Sequence, residues 1–125
     1  PEDSTAYFVA DLTSAYFNVT SVERGNRTIN ARKQVLLQDE ITSSASVMWR
    51  MHTNATVSVD SSGTSATLTI GDETLIMQIL NAPSGAKFTT GEATRLESDP
   101  ALLSGQVDQP NPGVTVLMIS LEAGA

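Results

Sequence analysis

Apolar and polar residues alternate with a period of two along much of this chain. In Val47-Met48-Trp49-Arg50-Met51-His52-Thr53, the side chains of Val47, Trp49 and Met51 fall on one face of an extended strand and those of Met48, Arg50 and His52 on the other. Val57 and Val59 resume the alternation after a short break. Thr64 to Ile70 is a further run of this kind, bounded by Ser61-Ser62-Gly63 and by Gly71-Asp72. Such punctuation predicts hairpins, with Gly71-Asp72 as the tightest turn. Glu73 to Leu80, Val114 to Leu121 and the shorter Val35-Leu36-Leu37 are apolar at successive positions, which predicts central strands covered on both faces rather than edges. Asn81 to Gly85 and Asp108 to Gly113 are Pro/Gly loops that interrupt any helix. Pro100 to Ser104 is the one stretch that leaves a short helix open. Strands of this length, separated by turn signals at short intervals, predict an all-β fold, an antiparallel β-sandwich. No repeat, linker or low-complexity tract divides the chain, so a single domain over 1–125 is expected.

At 125 residues the chain is long enough to bury a core without cross-links, so its lack of cysteine leaves the redox compartment open. Three Asn-x-Ser/Thr sequons, at Asn18, Asn26 and Asn54, point to a secreted glycoprotein and to surface positions for those side chains. The chain opens at Pro1-Glu2-Asp3 and reads as a mature or excised piece. No apolar run reaches the ~18 residues of a spanning helix, and a membrane is not an expected partner. The net charge of −7 argues against nucleic acid, whose backbone calls for a broad cationic surface. Five of the seven basic residues nevertheless lie between positions 24 and 50: Arg24, Arg27, Arg32, Lys33 and Arg50. Guanidinium groups hold carboxylate or sulfate through paired hydrogen bonds, so this cluster is a candidate surface for an acidic polysaccharide. Solvated outward positions on antiparallel strands are the alternative.

Several segments, taken together in their order and spacing, resemble the β-sandwich region of the heparinase II/III-like polysaccharide lyases. They are Asp11-Leu12-Thr13-Ser14-Ala15-Tyr16, Val22-Glu23-Arg24, Val35-Leu36-Leu37-Gln38-Asp39-Glu40, Trp49-Arg50-Met51-His52-Thr53, and Leu80-Asn81-Ala82-Pro83 followed by Ala86-Lys87-Phe88. In that family the β-region follows an α/α toroid and the cleft lies between the two. The resemblance implies that Asp11 and His52 match two ligands of a structural zinc, whose third ligand, a His, would precede Pro1. A hydrogen-bonded His52 without metal is the competing reading. The resemblance also implies that the main catalytic Tyr and His belong to the toroid, so this chain alone is not expected to cleave.

The residues themselves agree with that division of labour. Uronate lyase chemistry needs a base to take the proton α to the carboxylate and groups to neutralise that carboxylate. Tyr7 and Tyr16 read as core or interface residues rather than bases. The pairs Asp39-Glu40 and Asp72-Glu73 are sequence neighbours that point to opposite faces or sit in turns, which is no geometry for a glycosidase. One His and no glycine-framed serine give a hydrolase triad no support. Three functions stay open: a non-catalytic β-portion of a lyase that lines its cleft, a carbohydrate-binding module, or a structural glycoprotein assembling through sheet edges. Tyr7, Phe8, Tyr16 and Phe17 cluster near the start, an apolar patch that predicts a homo-oligomer or an open-ended filament.

Overall fold

The computed structural model describes residues 6–108 and 110–122; Gln109, within one of the expected Pro/Gly loops, lies outside them. The described chain is all-β. Nine strands appear: β1 (Tyr7–Asp11), β2 (Val19–Ile29), β3 (Gln34–Ser43), β4 (Val47–Thr53), β5 (Thr56–Val59), β6 (Ser65–Ile70), β7 (Glu73–Gln78), β8 (Phe88–Glu92) and β9 (Thr115–Leu121). One 3-10 turn, Thr13–Ala15, follows β1, and Pro100 to Ser104 is not helical. The strands form three sheets of three, in the orders β1-β2-β3, β4-β9-β8 and β5-β6-β7.

The chain packs as two compact units, Pro1–Val47 with Glu122–Ala125, and Met48–Leu121. The second unit is a small sandwich whose two sheets share one core. Ala66 and Leu68 of β6, Phe88 of β8 and Leu117 of β9 are buried together, with Trp49, Met51, Val57, Val59, Met77 and Ile119 packed against them. These residues recur at alternate positions along each strand, the period-two pattern that extended backbone imposes. The β6–β7 turn is Gly71-Asp72, closing on the Ile70↔Glu73 pair, with Gly71 at φ 56°. A glycine at positive φ in the first turn position gives the twist that joins two adjacent antiparallel strands.

Apolar runs do not all become covered strands. β9 does: it lies between β4 and β8, and Val116 and Leu117 are both fully buried. β7 instead lies at a sheet edge, and Leu75 and Ile76 are 56% and 62% exposed. β3 is likewise an edge, with Val35 exposed. Which neighbours a strand acquires is a tertiary outcome, and local composition does not encode it.

The first unit is a single antiparallel sheet. β2 pairs with β1 on one side, through Tyr7↔Arg27, Val9↔Gly25 and Asp11↔Glu23, and with β3 on the other, through Arg27↔Leu36, Gly25↔Gln38 and Glu23↔Glu40. A register shift between Val19 and Ser21 marks a bulge in β2, which strengthens local twist. The β2–β3 connection is the four-residue loop Asn30–Lys33, closed by the Lys33 N–H donating to the Asn30 carbonyl at 3.2 Å. Asn30, Ala31 and Arg32 all have positive φ there.

Candidate functional site

Paired residues on adjacent strands point to the same face of a sheet. The register of the first unit therefore sorts its side chains into two faces. One face carries Val22, the buried side chain among this unit's described residues, together with the ion pair of Arg24 and Asp39. That pair is two-pronged, Nε to Oδ1 and Nη2 to Oδ2, both at 2.7 Å. The hydrogen bonds from Asp39 raise the Arg24 pKa further above its ordinary value, against a smaller opposing effect of burial. Arg24 is thus engaged within the sheet.

The opposite face is a trough. Its cross-strand rows are Tyr7/Arg27/Leu36, Val9/Gly25/Gln38 and Asp11/Glu23/Glu40. The first two rows, with Glu23 and Glu40, line an open depression of about 730 Å³. Gly25 sits mid-strand in β2 and leaves the floor bare. A Cβ placed on it would meet the Gln38 and Phe8 carbonyl oxygens and Val9 Cγ2 at 3.8–3.9 Å, ordinary van der Waals contact. Tyr7 and Val9 form one wall, 71% and 66% exposed, and Leu36 and Gln38 the other. The last row sets three acidic residues opposite one another on adjacent strands. Like charges directly opposite one another are unfavourable; the Gln38 amide, two residues along the same strand, donates to Glu40 Oε1 at 3.2 Å, and Asp11 is held by Thr13. The charges are thus graded, with Arg27 toward the β2–β3 loop and carboxylates at the far end.

The expected polysaccharide residues separate. Arg27 lies in the trough, and Arg32 and Lys33 are exposed in the loop beyond it. Arg24 faces the other side of the sheet, paired with Asp39. Arg50 belongs to β4 in the second unit, where its Nε is buried without a hydrogen-bond partner among the described residues.

Asp11 and His52 fall in different units, on β1 and β4. The Asp11 carboxylate accepts the Thr13 N–H at 3.0 Å and so holds the start of the 3-10 turn. The Thr13 side chain, and then its backbone N–H, keep the Asp11 carboxyl below the usual range. Among the described residues, no three His, Asp or Glu side chains gather to hold a metal ion. The donor set that a structural zinc needs is therefore not assembled by them.

Of the sequon residues, Asn18 and Asn54 are exposed, Asn18 at φ 60° just before β2 and Asn54 between β4 and β5. Asn26 is half-buried in mid-strand, paired to both Phe8 and Leu37. Tyr7 and Tyr16, expected in a core or an interface, are both exposed, as are Phe8 and Phe17.

Gly25, Gln38 and Leu36 carry no motif that marks them as lining a trough. The signal that would have found them is the β2–β3 register, and the loop that sets it contains neither glycine nor proline. No protein-family model matches the chain, and no curated protein matches it in sequence.

Proposed function

We propose that this chain is the non-catalytic β-portion of a secreted, polysaccharide lyase-like glycoprotein, where it lines or supports a cleft for an acidic polysaccharide. The observation that carries this reading is the basic end of the first sheet. Arg27 on β2 and Arg32 and Lys33 in the adjoining loop are exposed at one extremity of the hairpin. Cationic side chains projecting from a strand end reach carboxylates on a passing chain while the strands fix their spacing. The ordered segments from Asp11-Leu12-Thr13 to Ala86-Lys87-Phe88 support the lyase-like context. Exposed sequons at Asn18 and Asn54 support secretion with glycan at those positions. Binding of the purified chain to a uronate-bearing polysaccharide such as alginate, measured against ionic strength, tests the reading. Affinity should fall with salt, and Arg32→Gln with Lys33→Gln should weaken binding about tenfold. Salt-independent binding, or none at low ionic strength, would contradict it. So would unsaturated uronate absorbance produced by this chain alone.

A second reading has its own observation. β1 and β7 are both edge strands that expose large apolar side chains, Tyr7, Phe8 and Val9 on one and Leu75 and Ile76 on the other. Open edges of this kind pair with other strands, which suits a structural glycoprotein that assembles into homo-oligomers or filaments. Sedimentation velocity at increasing concentration separates the two readings.

A further inference from the structure

We infer that the trough face of the first sheet is the contact between two copies of this chain, packed face to face with their strands reversed. The inference does not rest on the chain meeting a glycan, and it uses the face of the sheet rather than the free edges that suit a filament.

The order of charges selects the occupant. Of the three cross-strand rows, Val9/Gly25/Gln38 is the middle one. On one side of it lies the row with Arg27, and beyond that the loop that carries Arg32 and Lys33; on the other side lies the row of Asp11, Glu23 and Glu40. Cationic residues thus gather at one end and acidic residues at the other. A polyanion laid along the face meets the acidic row, and a cationic peptide meets Arg27 and the loop. A second copy avoids both conflicts when it is turned about a two-fold axis that crosses the strands at the middle row. That rotation sets Arg27 of each copy over Glu23 of the other and carries each basic loop past the other's acidic row. A two-fold axis along the strands would instead set Arg27 on Arg27 and Glu23 on Glu23, so charge fixes the orientation as well as the partner. The net charge of −7 opposes association in general, which makes this local pairing a condition of any contact between copies.

The middle of the face suits a symmetric contact. The two-fold axis brings Val9 to Val9, Gln38 to Gln38 and Gly25 to Gly25. Val9, with Tyr7 beside it, is exposed in the single chain and loses water on contact. The Gln38 amide gives one N–H to Glu40, and its second N–H and its carbonyl remain to pair with the same group across the axis. Gly25 brings no side chain, so the two backbones can approach more closely there than the ~10 Å that separates ordinary packed sheets. Three rows extend the face ~13 Å along the strands, and the strands lie ~4.8 Å apart. The footprint is thus a few hundred Å² per copy, at the low end of specific interfaces. Such a dimer is transient and forms at high protein concentration.

Sedimentation velocity and amide chemical shifts of the isotope-labelled full chain, both followed up to millimolar protein, are the test. The expected result is a monomer–dimer equilibrium that stops at two copies, with concentration-dependent shifts at Val9, Gly25, Arg27 and Gln38. Arg27→Glu and Glu23→Arg each bring like charges into contact and should weaken self-association by about tenfold or more. Mixed in equal amounts, the two variants should recover it, because in the mixed dimer the reversed charges face each other and the other pair is unaltered. Both positions are exposed, and recovery in the mixture itself shows each variant to be folded. A strict monomer at millimolar concentration overturns the inference, as does a variant that still dimerises or a mixture that stays monomeric. Growth beyond two copies, or shifts centred on the outer edges of β1 and β7, would refute the face-to-face contact in favour of edge pairing. Shifts of the same amides by tetralysine or by an alginate hexuronate, in a chain that stays monomeric, would give the face another occupant and equally overturn it. Uronate binding that depends on Arg32 and Lys33 while no dimer forms would leave the lyase-like reading standing and this inference refuted.

Discussion

Gly63→Ala tests the account of how the two sheets of the second unit are joined. Gly63 ends the turn between β5 and β6 at φ 77°, in the left-handed region. Its N–H donates to the Asp60 carbonyl and to Asp60 Oδ1, and its carbonyl accepts the Phe88 N–H at 2.7 Å, so one residue ties the β5–β6 turn to the start of β8. An alanine here incurs ~1–2 kcal/mol for the left-handed backbone. Its Cβ would also lie 2.9 Å from Lys87 Cγ and Cδ, and the Lys87 stem must move aside. Lys87 is exposed, so swinging Cγ and Cδ away adds a further ~0.5 kcal/mol for an off-rotamer side chain, while its backbone-fixed Cβ, at 3.0 Å, needs a small backbone shift as well. The expected loss is about 2 kcal/mol, or roughly 10 °C in Tm for a unit of this size. Gly71→Ala is the control, since φ is 56° there with nothing within 4 Å of a Cβ, and it should lose only the backbone part. Trp49, the single tryptophan, packs against the core of this unit and makes urea unfolding by fluorescence a local assay. In the double variant Gly63→Ala, Lys87→Ala, measured against Lys87→Ala alone, the excess over Gly71→Ala should shrink to the part set by the retained Cβ of residue 87, 3.0 Å from the new one. An unchanged midpoint for Gly63→Ala would refute the turn geometry, and equal losses at Gly63 and Gly71 would refute the close approach of Lys87.

Leu117→Ala should lower the stability of the same unit by about 3 kcal/mol, because Leu117 is fully buried at the centre of its core; a midpoint shift under about 1 kcal/mol would refute that placement. Ala31→Gly should stabilise the first sheet by roughly 0.5–1 kcal/mol, relieving one of three successive left-handed residues, less the added freedom of the unfolded chain. Slower amide exchange across β2 and β3 is the readout, and faster exchange would count against the loop conformation. The Asp60 carboxyl lies below its ordinary value, chiefly through the Ser62 hydroxyl and then backbone N–H groups of the turn, against a raising effect of burial. A depressed folded pKa stabilises above the unfolded value near ~4 and is lost as pH falls through the folded value. The stability gap between the native chain and Asp60→Asn should therefore be constant above about pH 5 and narrow at lower pH; a gap that widens on acidification would reverse the assignment.

The fold class was legible because extended backbone imposes its period directly on the sequence. Trp49 and Met51 alternate into the core, the Gly71-Asp72 turn joins β6 to β7, and β9 is a covered central strand, all as the pattern suggests. The same pattern misplaced β7 and β3, since exposure at a sheet edge depends on which strand arrives beside it. The trough was not legible. It depends on register, and the β2–β3 loop reaches its three left-handed residues with only Asn30 to announce it. The clustering of basic residues was visible, but its partition was not. Arg24 is taken up by Asp39, fifteen positions away, whereas Arg27 faces the trough. One shift of register would exchange those roles.

The most direct measurement for the central claim, that the first sheet carries the glycan-binding surface, is a map of amide shifts over the whole labelled chain in the presence of neutral and uronate oligosaccharides. The expected result is perturbation by uronates confined to residues 7–40 and centred on Arg27, Arg32 and Lys33, with β5, β6 and β7 unaffected. Perturbation centred on the second unit, or none with either class of sugar at millimolar concentration, would contradict the claim.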